Sequence, residues 1–287
     1  MDNINGASVI EKGEVFEKYF SNEEITDLSI ETASAATNIV CSPDAKAYVK
    51  YTAGSSKMMF RAEIIGGRLT ISEKQASMFG FGAIKPGTLS IELPEKLYWD
   101  VKVAVASGSL GAQGLTSEKF GAELASGKIE MNIFASEISV SVASGKAVFS
   151  RFSEKTADRI SIRTASGIQE FHGFASRETD INSASGRVTM TGVSGSVRAD
   201  ISSGRLELQY AEWNGGLNLK VASGKADITL PAGSGADVNF ERVSGSMSIE
   251  LDDSRVSLKN NSGGIYGGSN VQTARVDVAS GSVSIHN

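Results

Sequence analysis

The residues best placed to act on something outside the chain are charged and recur in step. Lys128, Lys146, Arg187, Arg205 and Lys225 each follow a Ser by two positions, and Glu130, Glu170, Glu207 and Asp227 each stand four past one. If successive Ser residues stack, these become a column of cations beside a column of acids. Such a face offers a charged track to an anionic polymer. It is also a solvated wall whose acids relieve the repulsion between cations at strand spacing and which discourages lateral aggregation. Nine residues therefore define the candidate binding face.

Catalytic chemistry finds less support. Glycoside hydrolysis needs two carboxylates facing one bond, about 5–9.5 Å apart. Asp252 and Asp253 are adjacent and point to opposite faces of any strand, while Glu130 and Glu170 meet only across intervening repeats. A polysaccharide-acting lyase or hydrolase is still the competing enzyme class. Left-handed hexapeptide acyltransferases need a His base and a strict six-residue period. Here the only His residues are His172, at a Phe-His-Gly-Phe corner, and the penultimate His286. Two distant His and the lone Cys41 make no zinc set, and the glycine-aspartate calcium repeat is missing. Gly263-Gly264 and Gly267-Gly268 do not precede a helix, so they form no phosphate loop, and Ala232–Gly235 reads as a corner rather than a nucleophile elbow. Ice binding wants a flat Thr array, and Thr189-Met190-Thr191 occurs once. No catalytic residue, metal or cofactor is assigned.

The element that must carry the columns is a Ser-Gly corner. Its Ser falls at 107, 126, 144, 166, 185, 203, 223, 244, 262 and 280, at intervals of 18 to 22 residues. That period marks a solenoid whose units each borrow a neighbour to bury their apolar face. Four and two positions before the Ser stand pairs such as Val103 and Val105, Val140 and Val142, Leu219 and Val221, with polar Ser141, Arg163, Asn182, Asp200, Lys220 and Asp277 between. Three and five positions after it stand Ile129 and Met131, Val188 and Met190, Leu206 and Leu208. This alternation is a strand with one buried face. The odd spacing across the tripeptide forces a turn, for which Gly supplies a permissive backbone and the preceding Ala a side chain small enough to sit inside. A second corner is expected eight residues past the Ser, where Leu115, Phe134, Phe152, Phe174 and Val193 share a column of core side chains, its rings stacking from rung to rung.

These units predict an all-β chain: a single-stranded β-helix, or β-solenoid, with parallel sheets and about 20 residues per rung. The hand is expected to be right, the preference of parallel crossovers. One continuous solenoid is expected over residues 1–287: an N-terminal cap over 1–24, irregular rungs and a loop over 25–88, and regular rungs over 89–287. Within the irregular part, Ile25 to Val49 reads as an early rung whose turn at Ala33–Thr37 lacks Gly, and Gln75–Pro86 as the longest loop. Ser21–Glu24 resembles a capping box without the periodic apolar residues a helix needs. The last rung, Val276 to Ile285, ends near the terminus with nothing to cover it. An open strand edge invites another chain, so a homo-oligomer through the C-terminal rungs is expected.

Composition narrows the partners. A net charge of −5, from 28 Lys and Arg against 33 Asp and Glu, leaves no footprint for nucleic acid. No apolar stretch is long enough to span a membrane, and Met1–Gly13 lacks a signal peptide's pattern. As written the sequence reads as cytoplasmic; if it is a piece of a longer protein, a cell-envelope or secreted location follows instead.

Two strands end alike, Leu89-Ser90-Ile91-Glu92-Leu93-Pro94 and Asp227-Ile228-Thr229-Leu230-Pro231, each leading on to a Ser-Gly corner. With the serial Ser-Gly corners, this pattern resembles the bacterial "putative adhesin" domain family of unknown function from about Phe20 to the C-terminus. The resemblance implies a right-handed or flattened β-helix, no known catalysis, and frequent occurrence in envelope-associated or secreted proteins. It supplies no functional residues to carry over. The reading that follows is a non-catalytic binding or structural module presenting an extended rigid β surface to a protein or polysaccharide.

Overall fold

At the regular Ser-Gly corners an approaching strand turns into a departing one, and the corners of spatially neighbouring rungs lie one over another. The computed structural model describes residues 3–4, 7–54, 58–75, 85–252, 255–259, 262–266 and 270–287, with backbone alone at 3–4, 255–259 and 262–266. The Gln75–Pro86 loop lies largely outside these residues. Among them, a 3-10 turn at Asn22–Glu24 is the one helical element, and its flanking Ser21 makes no side-chain capping bond. Two compact units emerge, Met1–Ser136 with Gly145–Ser153, and Glu137–Ser144 with Glu154–Asn287.

The first unit contains β1 (Asn3–Ile4), β2 (Ala7–Ile10), β3 (Val15–Tyr19), β4 (Asp27–Thr32), β5 (Ala36–Ser42), β6 (Tyr48–Thr52) and β7 (Met58–Ile65). It continues through β8 (Arg68–Gln75), β9 (Thr88–Pro94), β10 (Leu97–Val105), β11 (Ser109–Leu124), the first part of β12 (Lys128–Val142) and β13 (Lys146–Arg151). In its approach sheet β8, β4, β10 and the second half of β11 run parallel, so Leu69, Leu28, Val101 and Phe120 form one buried column. In its departure sheet β9, β5 and the first half of β11 do the same, aligning Ile91, Ile39 and Ala112. Beyond β8 and β9 the pairing turns antiparallel, through β7, β2 and β1 on one sheet and β6 and β3 on the other. The parallel rule thus stops at this end, because the β7–β8 turn at Gly66 and Gly67 reverses the chain in place, where a parallel neighbour needs a crossover. The early rung β4–β5 sits between β10–β11 and β8–β9, out of sequence order.

The second unit contains the rest of β12, β14 (Ala157–Thr164), β15 (Ile168–His172), β16 (Ser176–Ser183), β17 (Arg187–Val193), β18 (Ser196–Ile201), β19 (Arg205–Tyr210) and β20 (Leu217–Val221). After these come β21 (Lys225–Thr229), β22 (Ser234–Arg242), β23 (Ser246–Glu250), β24 (Arg255–Lys259), β25 (Ser262–Tyr266), β26 (Asn270–Val278) and β27 (Ser282–His286). Val140, Ile162, Ile181, Ala199, Leu219, Val276 and Phe240 lie in register down its approach sheet, all buried. Each of these side chains larger than Ala199 contributes about 1.5–3 kcal/mol on burial. The polar residues between them, Ser141, Arg163, Asn182, Asp200, Lys220 and Asp277, form the adjoining outward column as expected.

The last rung in sequence is not the last in space. β26 and β27 lie between β20–β21 on one side and β22–β23 on the other, so Val276 to Ile285 is an interior rung. The open edge expected there is absent, and β23 takes the terminal place. Ser262 is no corner either: it begins β25, which pairs antiparallel with β24 and, over two residues, with β22.

The corners correct two readings. The Ser-Gly glycines do not hold the positive φ seen at Gly114, Gly173 and Gly192 of the second corners. They are glycine because a Cβ on Gly204, Gly224 or Gly281 would strike the carbonyl oxygen of the glycine one rung away. The preceding Ala points outward, exposed at Ala165, Ala184 and Ala222, while Gly186, Gly204 and Gly224 are the buried members. Backbone bonding between rungs flanks the corner glycine on both sides, as when Ser185 N donates to Ala165 O at 2.7 Å and Arg187 N to Gly167 O at 2.9 Å. The Ser hydroxyl adds a bond to a neighbouring carbonyl, Ser166 Oγ to Ala143 O and Ser280 Oγ to Ala222 O, both 3.2 Å.

The second corner is apolar at Leu115, Phe134, Phe174 and Val193, but Phe152 is 41% exposed and leaves the core. Ring contacts form edge-on within a rung, Phe171 with Phe174 at 5.6 Å and Tyr210 with Trp213 at 4.9 Å. The Leu-Pro ends of β9 and β21 both close departure strands, as equivalent corners require.

Candidate binding face

On the outer face of the second unit's departure sheet, strand register places Arg187, Arg205 and Lys225 on three successive strands, followed by Ser282 and Ser246. Two residues along, Glu170, Thr189, Glu207 and Asp227 make the adjoining column, followed by Ser284 and Ser248. At about 4.8 Å per strand, the cations stand close enough to need compensation. Arg205 finds it in Glu207, 3.6 Å away on its own strand. Among the described residues Arg187 and Lys225 make no ion pair. In the first unit Lys128 and Lys146 are register partners, and Glu130 lies 2.6 Å from Lys128, which holds its carboxyl below the usual carboxylate range.

The acids are engaged sideways rather than across a cleft. Glu207 accepts a bond from Thr189 Oγ1 at 3.3 Å as well as facing Arg205. Asp227 Oδ1 is 3.0 Å from His286 Nε2, a contact created by the interposed C-terminal strand and missing from any reading that stacks rungs in sequence order. Glu170 lies 3.8 Å from His172. Where long side chains give way to Ser246, Ser248, Ser282 and Ser284, a shallow depression of about 350 Å³ opens beside Arg205, Glu207, Lys225 and Asp227.

The enzymatic candidates are dispersed. Asp252 sits in a turn and donates its N–H to Asn287 Oδ1, while Asp253 and Gly267-Gly268 lie outside the described residues. Gly263 and Gly264 are in β25, and Ala232–Gly235 forms the turn into β22, with Gly233 at φ 75°. Among the described residues no group of three His, Cys, Asp or Glu could hold a metal ion, and no helix is long and apolar enough to cross a membrane.

One acid went unnoticed in the sequence. Glu73, fully buried at the end of β8, stands in the inward column with Thr32, Val105 and Leu124. Its Oε2 accepts the N–H groups of Ala33, Ser34 and Ala35 at 2.9–3.0 Å, and its Oε1 the hydroxyls of Tyr51 and Ser34 at 3.2 and 3.3 Å. In a regular corner the Ala and Ser N–H groups bond carbonyls of the neighbouring corner, as Ala184 N does Thr164 O and Ser185 N does Ala165 O; here Ala33 N also keeps a bond to Glu73 O at 3.2 Å. Among the described residues no Ser-Gly corner joins β8 to β9, and the Glu73 side chain meets these N–H groups instead. The signal was an acid at an inward phase opposite a corner without Gly.

Compared with known proteins, the sequence matches the family described as Toastrack DUF4097 over residues 25–286. No curated protein matches it. Among solved structures, a "putative lipid binding protein" from Parabacteroides distasonis is similar with TM-score 0.54 and 14% identity, covering 96% of each chain. A "putative adhesin" from the same organism is similar with TM-score 0.51 and 12% identity, over 96% of this chain and 99% of that one. At such identities the likeness is one of fold.

Proposed function

Since the chain belongs to the Toastrack DUF4097 family, we propose that it works as a non-catalytic binding module, presenting rigid β faces to an extended acidic polysaccharide of the cell envelope. The observation that carries this is the register of Arg187, Arg205 and Lys225 on successive strands, two of them without an ion pair among the described residues. A strand spacing of about 4.8 Å is comparable with the rise of one sugar residue, so a polymer lying across the strands meets one cation per rung. The adjoining depression, floored by Ser residues, has room for an uncharged hydroxyl-bearing face of the same chain. A fold shared with a protein named a putative adhesin supports the envelope setting.

The competing class, a polysaccharide-cleaving enzyme, asks for two acids on opposite sides of a bond. Glu207 and Asp227 instead stand side by side on one open face, each tied to its own partner. Affinity electrophoresis of the full chain through gels containing a polyuronate tests the reading. Retardation is expected, weakened by salt as counterion release requires, and lost when Arg187 and Lys225 are both changed to Glu. Retardation that survives that change, or release of new reducing or unsaturated ends, overturns it.

A further inference from the structure

The terminal strand of the second unit, β23, pairs with β27 on one side, and among the described residues no strand pairs with the other. Ser246 donates its N–H to Gly281 O, and Glu250 O accepts from Asn287 N. In a parallel ladder one residue directs both its main-chain groups to the same neighbour and the next directs both away. Residues 246, 248 and 250 therefore face β27, and the N–H and C=O groups of Met247 and Ile249 face the open edge. The inward columns run out at the same place. Val283 and Ile285 are 3% and 1% exposed, while Met247 and Ile249, next in register, are only half-buried.

We propose that this edge is a dimer interface, in which β23 pairs antiparallel with β23 of a second copy about a two-fold axis through Ser248. In that register Met247 exchanges both main-chain bonds with Ile249 of the other copy, and Ile249 with its Met247, so all four open groups on each strand are used. The same two side chains meet on the inward side and extend both cores. Ser248 faces its own equivalent, and Glu250 falls opposite Ser246, so no like charges meet. A register centred on Met247 or Ile249 satisfies fewer groups.

The strand favours a copy of itself because, apart from Glu250 at its end, it carries little of the usual edge protection: no Lys, no Pro and no bulge. In the first unit β3, which among the described residues pairs with β6 alone, carries opposite charges at its centre, Glu17 and Lys18. Two five-residue strands bury less than the roughly 1,200 Å² of a standard interface, so the dimer is expected to dissociate on dilution.

Thiol cross-linking in a Cys41→Ser background reads the register directly. The Ser248 pair is a non-hydrogen-bonded one, with Cα atoms about 4.5 Å apart, within disulfide range. Ser248→Cys should therefore give a covalent dimer on mild oxidation, and Ser246→Cys little or none. Sedimentation should show a dimer fraction that rises with concentration and disappears in Met247→Pro, which removes an edge donor but no bond to β27. Ile249→Pro repeats the test should the first variant unfold. A monomer at every concentration, equal cross-linking by both Cys variants, or undiminished dimer in a folded Pro variant overturns the proposal.

Discussion

Gly281 lies directly over Gly224, so closely that a Cβ on the first would strike the carbonyl oxygen of the second, although the two are far apart in sequence. Gly224 stands in the same relation to Gly204, and Gly245 to Gly281. The corner is thus a column of backbones in contact, and its glycines are chosen for bulk. Gly224→Ala should destabilise the chain by about 1–3 kcal/mol, the usual cost of overpacking, and towards the upper end because the obstructing atom is main chain. Gly233→Ala, with open space around it but φ of 75°, should cost only the strain of a left-handed residue, about 1–2 kcal/mol. Urea midpoints of the two variants separate close approach from backbone freedom.

Glu73 holds the turn at Ala33–Ala35 through its carboxylate, and its variants should differ accordingly. Glu73→Gln keeps one acceptor oxygen but loses charge-assisted bonds, each worth about 1.5–3 kcal/mol. Glu73→Ala removes every side-chain acceptor from the N–H groups of Ala33, Ser34 and Ala35, the last of these buried. The Ala variant should be the less stable, with loss of amide protection confined to residues 33–36 and their neighbours, measured by hydrogen exchange. Equal effects of the two changes would show that the carboxylate only fills space.

The repeat was legible in the sequence where a local rule sets the structure. Alternation around each Ser-Gly put Val140, Ile162 and Leu219 in one inward column, because strand side chains alternate whatever lies beside them. The order of the rungs was not legible. Leu219, Val276 and Phe240 are all apolar at the same phase, so nothing local tells the rung at Ser280 to lie beside Ser223 and leave Ser244 outside. Ser262-Gly263 shows the converse: the dipeptide matches the marker, but its flanks pair antiparallel. The charged columns followed from phase alone. The contact of Asp227 with His286 did not, since it depends on which rung is the neighbour.

Cys41 gives a pH-dependent test. Burial, with the Glu95 carboxylate adding to it, pushes its thiol from 9.0 up to about 12. The native state therefore holds its proton where the unfolded chain has released it. Stability from this group is intact below pH 9 and is lost as pH rises towards 12. At pH 8 the native thiol should react with an alkylating reagent at least about ten-fold more slowly than the unfolded chain. Equal rates would show that the site opens readily.

The interposed C-terminal rung makes the sharpest claim about long-range order. Removing residues 270–287 takes away both ladders that join β20–β21 to β22–β23, together with the buried side chains of Val276, Val278, Val283 and Ile285. β23 would then keep no described partner, and β22 only its two-residue pairing with β25. Val243 N, which donates to Val278 O, and Ser246 N, which donates to Gly281 O, should lose protection from hydrogen exchange, while Arg205 N, bonded to Gly186 O, should keep it. If rungs were stacked in sequence order, the same truncation would uncover 234–250 on one side only and leave their bonds to 217–229 in place. Retained protection at Val243 and Ser246 in the shortened chain would therefore reject the interleaved order and the β23 edge together.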